Sequence, residues 1–253
     1  MTHEEHDIMR SVEDRHWWYR GLRVVLEKLL ASFRNRRPLL VLDAGCGTGG
    51  NTAKIKSLLP HAKLVCLDFS LHALRTTAER NLQTWLCQGD TNRLPFACDL
   101  FDLVFTGDVL SQRSVCPPAA LKECLRILKP GGTLVLNLPA LQILCGSHDS
   151  AVNQDKRFAK SEVKRLLHDA GFIDTKLCFW NTVLSVPLLF HRLWSRRKTT
   201  PSPNTPSDLA VPTGLFNGLL SAWIALESSV ATSVPLPFGS SLFGITRKPL
   251  ANS

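Results

Sequence analysis

Between residues 38 and 180, short apolar runs alternate with longer segments in which apolar residues recur at helical spacing. Most of the runs are continuously apolar, which is typical of strands buried on both faces of a parallel sheet. The predicted strands are 39–43, 63–68, 84–90, 101–110, 133–139, 172–180 and, near the end of the sequence, 240–249. The predicted helices are 3–33, 50–58, 70–81, 117–128, 159–171 and 214–230. Alternating strands and helices predict an α/β fold with a doubly wound, mostly parallel sheet.

The same pattern divides the chain into a core and two additions. Residues 1–37 are expected to form an N-terminal helical cap, and residues 38–180 with 240–253 the core. Residues 181–239 are expected to be an insertion made of a helix, a proline-rich linker and a second, amphipathic helix. Long insertions in compact domains commonly act as lids or binding loops, so this one is predicted to cover a substrate or contact a membrane.

The first strand runs into a glycine-rich loop, "DAGCGTGG" at 43–50. Gly45, Gly47 and Gly50 satisfy the dinucleotide pattern G-x-G-x-x-G, and Gly45, Gly47 and Gly49 satisfy the alternative G-x-G-x-G. In both patterns the glycines let the backbone approach a ligand closely and turn into a helix. The loop alone therefore leaves NAD and S-adenosyl-L-methionine as alternatives.

Acidic residues at the strand ends separate these alternatives, because ligands of such sheets bind beyond the carboxyl ends of the strands. Asp43 lies just before the first glycine, where a carboxylate would repel a dinucleotide pyrophosphate but attract the ammonium and sulfonium groups of S-adenosyl-L-methionine. Asp68 ends the second strand, where it can accept hydrogen bonds from the ribose hydroxyls of either cofactor. Asp90 ends the third strand, where it can accept from an adenine amino group. Three acids around one nucleoside pocket favour the cationic cofactor.

Five segments occur in the order seen in class I S-adenosylmethionine-dependent methyltransferases, which the sequence resembles over residues 38–180 and the last strand. They are "VLDAGCGTGG", "LDFS", "GDTNRLPF", "FDLVFTGDVL" and "LRILKPGGTLVLNLP". "RHWWYRGLR" at 15–23 and "SHD" with "VNQDKRF" at 147–158 further resemble a bacterial subgroup of small-molecule methyltransferases. The resemblance implies a Rossmann-like sheet of class I methyltransferase architecture, with one antiparallel strand, and S-adenosyl-L-methionine as cofactor.

The resemblance also implies contacts for individual positions. Those to the methionine part are Asp43, Gly45, Cys46, Gly47 and Gly49; those to ribose and adenine are Asp68, Phe69, Asp90 and Thr91; and those beside the methyl donor are Gly107 and Asp108. One departure concerns the loop after the fourth strand. Relatives often carry Leu-Glu-His there, whereas this chain has Ser111 and Gln112. Any role of that histidine therefore does not transfer to this sequence.

Methyl transfer is an in-line displacement, so an enzyme mainly aligns the two reactants and excludes water. A base is needed only when the acceptor must lose a proton. His148, beside Asp149 after the fifth strand, is the first candidate base, and a loop histidine that caps or is solvated is the alternative. His16 is the second candidate base.

Aromatic and basic residues of the first helix are the remaining site candidates. Trp17, Trp18 and Tyr19 are expected to close the pocket or, alternatively, to pack within the cap. Arg20 or Arg23 is expected to meet the cofactor carboxylate in a bidentate contact, or to remain a surface arginine.

Charge and composition bear on the partners. The 30 Lys and Arg residues exceed the 21 Asp and Glu residues, and the net charge of +9 favours anionic partners such as nucleic acid, acidic substrates or a lipid surface. Residues 183–198 join an apolar body to a basic end, which suits peripheral membrane contact or, alternatively, a packed helix with an exposed basic end. No aromatic-basic RNA-binding module is evident, so a nucleic-acid partner is not expected. The eight cysteines lack zinc-site spacing, so no metal is expected.

The first twenty residues lack the apolar segment of a signal peptide, and no apolar stretch approaches the ~18 residues of a membrane span. We therefore expect a cytoplasmic protein, peripheral to a membrane at most. The predicted function is methyl transfer from S-adenosyl-L-methionine to a small, hydrophobic metabolite or lipid-linked acceptor. The alternatives are methylation of RNA or protein, and a cofactor-binding scaffold without catalysis; a NAD-dependent dehydrogenase ranks last.

Overall fold

The computed structural model describes residues 2–144, 156–186, 214–231, 234 and 236–251. Its strands are β1 Leu40–Ala44, β2 Lys63–Asp68, β3 Trp85–Gln88, β4 Phe101–Gly107, β5 Leu128–Pro139, β6 Ile173–Trp180 and β7 Ser241–Arg247. Its α-helices are α1 His3–Val12, α2 Trp17–Leu30, α3 Gly50–Leu58, α4 Leu71–Ala78, α5 Pro117–Ile127, α6 Lys160–Ala170 and α7 Gly214–Ala231.

The strands form one sheet in the order β3-β2-β1-β4-β5-β7-β6. β7 runs antiparallel to both β5 and β6, and the other neighbouring strands are parallel. The predicted fold class, a doubly wound and mostly parallel sheet with one antiparallel strand, is confirmed. The strand order reverses between β1 and β4, so the switch point, where such sheets bind ligands, lies at the carboxyl ends of these two strands.

Apolar layers cover both faces of the sheet. On one face Leu42, Val104 and Leu134 belong to a buried cluster that includes residues of α5 and α6. On the other face, Phe105 and Val135 belong to a cluster that includes residues of α2, α3 and α7. Neighbouring residues of one strand thus point to opposite layers, as strand geometry requires. Both layers are apolar, which explains why the strands read as continuous apolar runs.

The N-terminal segment differs from the single helix predicted over 3–33, because α1 ends at Val12 and α2 begins at Trp17. His16 starts the second helix, since its Nδ1 accepts a hydrogen bond from the Trp18 backbone N–H at 3.2 Å. This is the N-cap interaction usually made by serine, threonine, aspartate or asparagine. The apolar periodicity behind the prediction lies entirely within α2, so it carried no information about the break.

Residues 129–132, between the predicted helix 117–128 and the predicted strand 133–139, belong to β5. Phe101 of β4 pairs with Leu128, and two residues later Leu103 pairs with Thr133, so the four residues between them form a bulge in β5. Gly131 within this bulge has a φ of 73°, a conformation that glycine adopts without strain.

The insertion between β6 and β7 is described in part. The predicted helix 214–230 is present as α7, which packs against α2 at a point where Gly21 lacks a side chain; a Cβ there would lie 2.6 Å from Ile224 Cγ1. Residues 187–213 lie outside the described residues, and with them most of the predicted interfacial segment 183–198. Within the described part of the chain, no helix is both long enough and apolar enough to cross a membrane.

Candidate active site

The glycine-rich loop lies between β1 and α3, at the carboxyl edge of the sheet. Gly45, Gly47 and Gly49 have φ values of 85°, 54° and 80°, in the left-handed region that favours glycine. Position 45 requires glycine for a second reason, because a Cβ there would overlap the Val109 side chain. The loop therefore brings backbone close to whatever occupies the switch point, without side chains in between.

Asp43 is the second-last residue of β1, just before this loop, and is almost completely buried. Its Oδ2 accepts a hydrogen bond from Thr52 Oγ1 at 2.6 Å, whereas its buried Oδ1 has no partner. Burial raises the pKa of Asp43 to about 7; the negative charge of Asp68 adds to this effect and the Thr52 hydrogen bond opposes it. A cation next to Oδ1 would restore the charged form of this carboxylate.

Asp68 fastens the end of β2 to the glycine loop. Its Oδ2 accepts from the Gly47 backbone N–H at 2.9 Å, and its Oδ1 accepts from the Ser70 backbone N–H at 2.8 Å. Each carboxylate oxygen can accept a second hydrogen bond, so the ribose contact expected for Asp68 is compatible with this role. Phe69, the next residue, is 77% exposed and leaves an aromatic ring open for packing.

Asp90 and Thr91 lie in the turn after β3. Asp90 Oδ1 accepts hydrogen bonds from the backbone N–H and the side-chain amide of Asn92, at 2.8 and 2.9 Å. The Asn92 side chain in turn bonds to the backbone at Ser114 and Cys116. These bonds hold the turn against the segment before α5, and fix the position of both residues predicted to meet adenine.

A chain of buried hydrogen bonds ends at Asp108, which follows Gly107 at the end of β4. The Asn137 amide donates to both Asp108 carboxylate oxygens at 3.0 Å, and Trp180 Nε1 donates to Asn137 Oδ1 at 3.0 Å. Asp108 has a φ of 58°, in the left-handed region that aspartate adopts more readily than most residues other than glycine. Burial raises the pKa of Asp108 to about 7, against the effects of Asn137 and of Arg157.

The turn between α1 and α2 lies on the glycine loop. Glu13, in this turn, is buried, accepts a hydrogen bond from Thr48 Oγ1 at 2.6 Å and forms an ion pair with Arg80. Met9 of α1 lies over the loop as well, with its Cε 3.0 Å from where a Cβ of Gly47 would be. The N-terminal helices therefore shield the loop from water.

Tyr19 and Arg23 of α2 reach the same place. The pKa of Tyr19 is raised by burial and by the negative charges of Glu13, Asp108 and Glu5, and Arg23 opposes this. Arg23 Nη2 donates to Asp14 Oδ1 at 3.1 Å and lies 2.7 Å from where a Cβ of Gly50 would be. Residues from the cap and from the end of β4 thus surround one site.

Four buried polar atoms around this site have no hydrogen-bond partner among the described residues. Three are acceptor oxygens and one is a guanidinium donor: Glu5 Oε2, Asp43 Oδ1, Asn51 Oδ1 and Arg23 Nε. Buried polar atoms are nearly always paired, so these four atoms are available to a ligand or to water, as are three others in and near the insertion, Asn181 Oδ1, Ser221 Oγ and Ser228 Oγ. Acidic acceptors suit an ammonium and an arginine suits a carboxylate. The set is therefore complementary to an amino-acid group, such as the methionine part of S-adenosyl-L-methionine.

Of the two candidate bases, the structure describes His16 but not His148. His16 is buried, and its Nδ1 caps α2, so the structure gives this histidine a positioning role in the helix; a role as base stays a prediction. His148 lies outside the described residues. Cys46 is buried in the loop, and the neighbouring thiol of Cys66, together with burial, raises the pKa of Cys46, so it is a small packing residue rather than a thiolate.

Several side chains at this candidate site were not anticipated from the sequence. Glu13 lies in a charged stretch that reads as solvated surface, and nothing local reveals that it turns inward. Asn137 could have been predicted to bond to a buried partner, because it is a polar residue inside the otherwise apolar run "TLVLNLP". Asn51 and Glu5 offered no such signal.

The sheet order, with β7 antiparallel beside β5 and β6, and the glycine loop over a buried acid at the switch point are the architecture of a class I methyltransferase. Comparison with known proteins gives the same result. The family model described as "Methyltransferase domain" matches residues 41–132. The chain belongs to the S-adenosylmethionine-dependent methyltransferases, and S-adenosyl-L-methionine is the cofactor of that family.

Two curated relatives and one solved structure illustrate the similarity. Malonyl-(acyl-carrier protein) O-methyltransferase 1 of Coxiella burnetii is 30% identical over 65% of this chain and 55% of its own length. Demethylmenaquinone methyltransferase of Staphylococcus aureus is 31% identical over 56% of this chain and 71% of its own. A methyltransferase of Haloferax volcanii, solved with the Trm112 activator, has a TM-score of 0.60 at 19% identity, covering 97% of this chain and 98% of that one.

The chain spans 55% of the Coxiella relative and 61% of a probable S-adenosylmethionine-dependent methyltransferase of Mycobacterium tuberculosis that it also matches. The family model covers residues 41–132, from β1 into β5, and the structural likeness at 19% identity shows the fold alone. What the protein acts on must therefore be inferred from its own residues.

Proposed function

We propose that this protein transfers a methyl group from S-adenosyl-L-methionine to a small, hydrophobic or lipid-linked acceptor. When bound, the cofactor supplies a methyl carbon attached to a positively charged sulfur. The observation that carries the proposal is the set of unpaired buried atoms around the glycine loop. Their acceptors suit an ammonium, their single donor suits a carboxylate, and Asp43 disfavours the pyrophosphate of a dinucleotide.

In this scheme the chain binds and orients the cofactor at several points. Asp43 and Asn51 accept from its ammonium, Arg23 pairs with its carboxylate, Asp68 accepts from its ribose and Phe69 packs on its adenine. The α1–α2 turn excludes water from the loop, which strengthens each of these polar contacts. Because the contacts fix the donor in one orientation, an acceptor needs only to be held in line with it.

Asp108 is the charged group that the scheme places beside the methyl donor. The Trp180–Asn137–Asp108 hydrogen bonds hold its carboxylate in one position. An ionised carboxylate there stabilises positive charge on the donor, and on an acceptor that becomes cationic as it is methylated. His148 and His16 remain the candidate bases for an acceptor that must lose a proton.

The acceptor is proposed to enter beneath the insertion 181–239. Its described part supports this arrangement, because α7 is bonded to the cap: Asn217 donates to the Arg15 carbonyl at 2.9 Å and accepts from the Trp17 backbone N–H at 3.2 Å. The cap in turn contacts the glycine loop. The relatives' names, malonyl-(acyl-carrier protein) O-methyltransferase and demethylmenaquinone methyltransferase, support a small or lipid-like acceptor rather than nucleic acid.

The proposal is tested with methyl-labelled cofactor and a cell extract separated into lipid-soluble, small polar, RNA and protein fractions. We expect protein-dependent label in the lipid-soluble fraction and none with Asp68→Ala, which should no longer hold the cofactor. Label in RNA, with activity that falls steeply as salt rises, would instead support the nucleic-acid alternative. Cofactor binding without label in any fraction would instead support the alternative that the protein is a non-catalytic, cofactor-binding scaffold.

A further inference from the structure

The burial pattern of α7 is the reverse of that of an ordinary surface helix. Its inward residues include polar and charged side chains: Asn217, Ser221, Glu227 and Ser228. Its outward residues are mostly large and apolar: Leu215, Phe216, Leu219, Trp223, Leu226 and Val230. A surface helix normally turns its apolar stripe to the core and its polar stripe to water.

Specific hydrogen bonds fix this orientation. Near the start of α7, Asn217 bonds to the backbone at Arg15 and Trp17. Near its end, Glu227 accepts from the backbone N–H groups of Thr182 and Val183, at 2.6 and 3.2 Å. Rotating the helix to bury its apolar stripe would break all four bonds and expose their backbone partners. The outward apolar face is therefore built into the fold.

The outward face is large and uncharged. Leu215 is 91% exposed and Leu226 is 62% exposed, and the single charged residue of α7, Glu227, points inward. Contiguous apolar surface of this kind marks a protein or membrane contact site. Trp223 and Phe216 add the aromatic residues that are enriched where a protein meets a bilayer surface.

The charge of the chain favours an anionic bilayer over a second copy. The net charge is +9, so two copies repel each other, whereas a bilayer that contains anionic lipid attracts the chain. A single helix lying in the membrane surface needs only one apolar stripe and a basic flank.

Positive charge is available to this face. Arg15, whose carbonyl accepts the hydrogen bond from Asn217, is exposed at the N-terminal end of α7, and the chain carries a net charge of +9. Positive charge at the margin of an apolar stripe is attracted to anionic lipid headgroups.

We propose that the outward face of α7, defined by Leu215, Phe216, Leu219, Trp223, Leu226 and Val230, anchors the protein on the surface of a bilayer that contains anionic lipid. The proposal deepens the proposed function and rests on it only for the purpose of the anchor: the N-terminal end of α7 is bonded to the α1–α2 turn, and that turn covers the cofactor loop, so anchoring α7 would bring the site to a bilayer that holds the acceptor. Membrane binding itself requires neither cofactor nor methyl transfer.

The test is cosedimentation of the full chain with vesicles of phosphatidylcholine alone and with phosphatidylglycerol added. We expect binding to the mixed vesicles, weaker binding to phosphatidylcholine, and a partial loss in high salt because only the electrostatic part is screened. The double variant Leu219→Gln/Trp223→Gln should bind the mixed vesicles at least tenfold more weakly. Both side chains are exposed, so its melting temperature and its affinity for S-adenosylhomocysteine should equal those of the wild type.

A matched control is Ile173→Gln/Trp85→Gln, which removes an exposed aliphatic and an exposed aromatic side chain from strand positions away from α7. It should bind vesicles like the wild type. The proposal is overturned if the wild type stays in the supernatant, if the α7 variant binds unchanged, or if the control loses as much. It is also overturned if sedimentation velocity shows a dimer that the α7 variant abolishes, since the face would then bind a second copy. A wild type that binds vesicles but transfers no methyl group would count against the proposed function instead.

Discussion

Replacing Asp43 by asparagine tests the electrostatic basis of the cofactor site. The carboxylate is buried, bonded to Thr52 through one oxygen and unpaired at the other. Its pKa is raised from 3.8 to about 7 because burial disfavours the charge. A cationic ligand binds the ionised form, so binding must remove a proton from Asp43 below pH 7. The affinity for S-adenosyl-L-methionine should therefore fall with falling pH.

The size of this effect follows from the pKa. A group with a pKa of about 7 is roughly 90% ionised at pH 8 and roughly 10% ionised at pH 6, so the Kd should rise about tenfold between these values through Asp43 alone. Asp108, with a similar pKa, would add its own factor. Asparagine at position 43 removes one of the two titrations, so the ratio of Kd values at pH 6 and pH 8 should shrink by about tenfold.

At pH 8 the same substitution, which weakens ligand binding, should stabilise the unliganded protein against unfolding. Because the Asp43 carboxyl holds its proton more tightly in the folded state, it favours folding at low pH, and this contribution is lost as the pH rises from about 4 through 7. The shift of about 3 pKa units sets an upper bound of about 4 kcal/mol on that loss. Unliganded Asp43→Asn should therefore melt at a higher temperature than the wild type at pH 8, and at a similar one near pH 4.

Isothermal titration calorimetry at pH 6, 7 and 8 measures the binding part, and thermal melting without ligand measures the stability part. At pH 8 the variant should bind S-adenosyl-L-methionine roughly ten- to a hundredfold more weakly, the value of a lost hydrogen bond to a charged group. Asp169→Asn, an exposed carboxylate on α6, is the control and should change neither quantity. A wild-type Kd that does not vary with pH, or a variant with the wild-type pH ratio, would refute the reasoning.

Three further substitutions have defined outcomes. Gly45→Ala places a Cβ at a φ of 85° and against the Val109 side chain. We expect the free energy of unfolding to fall by about 1–3 kcal/mol and cofactor binding to become unmeasurable. Wild-type binding would show that the loop does not approach the ligand. Asn137→Leu removes the amide that bonds to both Asp108 and Trp180 Nε1. Chemical denaturation should show that the free energy of unfolding falls by roughly 2–5 kcal/mol, and a variant as stable as the wild type would contradict the hydrogen-bond chain. Asp68→Ala should weaken S-adenosylhomocysteine binding at least tenfold by calorimetry, and an unchanged Kd would remove the ribose assignment.

The core of the fold could be predicted because its signals are local. A strand buried on both faces is continuously apolar, and a left-handed turn close to a ligand favours glycine. A few residues therefore suffice to predict β1 and the loop at Gly45–Gly49. The acids at the strand ends were legible for the same reason, since Asp43 and Asp68 each follow an apolar run. The structure places both at the glycine loop, although their contacts to the cofactor remain predictions.

The remainder depends on contacts between distant segments. In the break between α1 and α2, Glu13 accepts a hydrogen bond from Thr48, 35 residues away. The orientation of α7 arises because Asn217 and Glu227 bond to backbone at the cap and after β6. Amphipathicity of the α7 sequence shows that the helix has an apolar stripe, but the stripe's direction is set by those bonds, which helical spacing does not encode.

Thermal melting with S-adenosylhomocysteine and with NAD tests the central claim most directly. A ligand at a hundred times its Kd that binds only the folded state adds about 2.7 kcal/mol of stability, which for a chain of this size is a rise of roughly 5–10 °C. We predict that rise with S-adenosylhomocysteine and none with NAD. A rise with NAD alone would contradict the account and return the glycine loop to the dinucleotide-binding proteins.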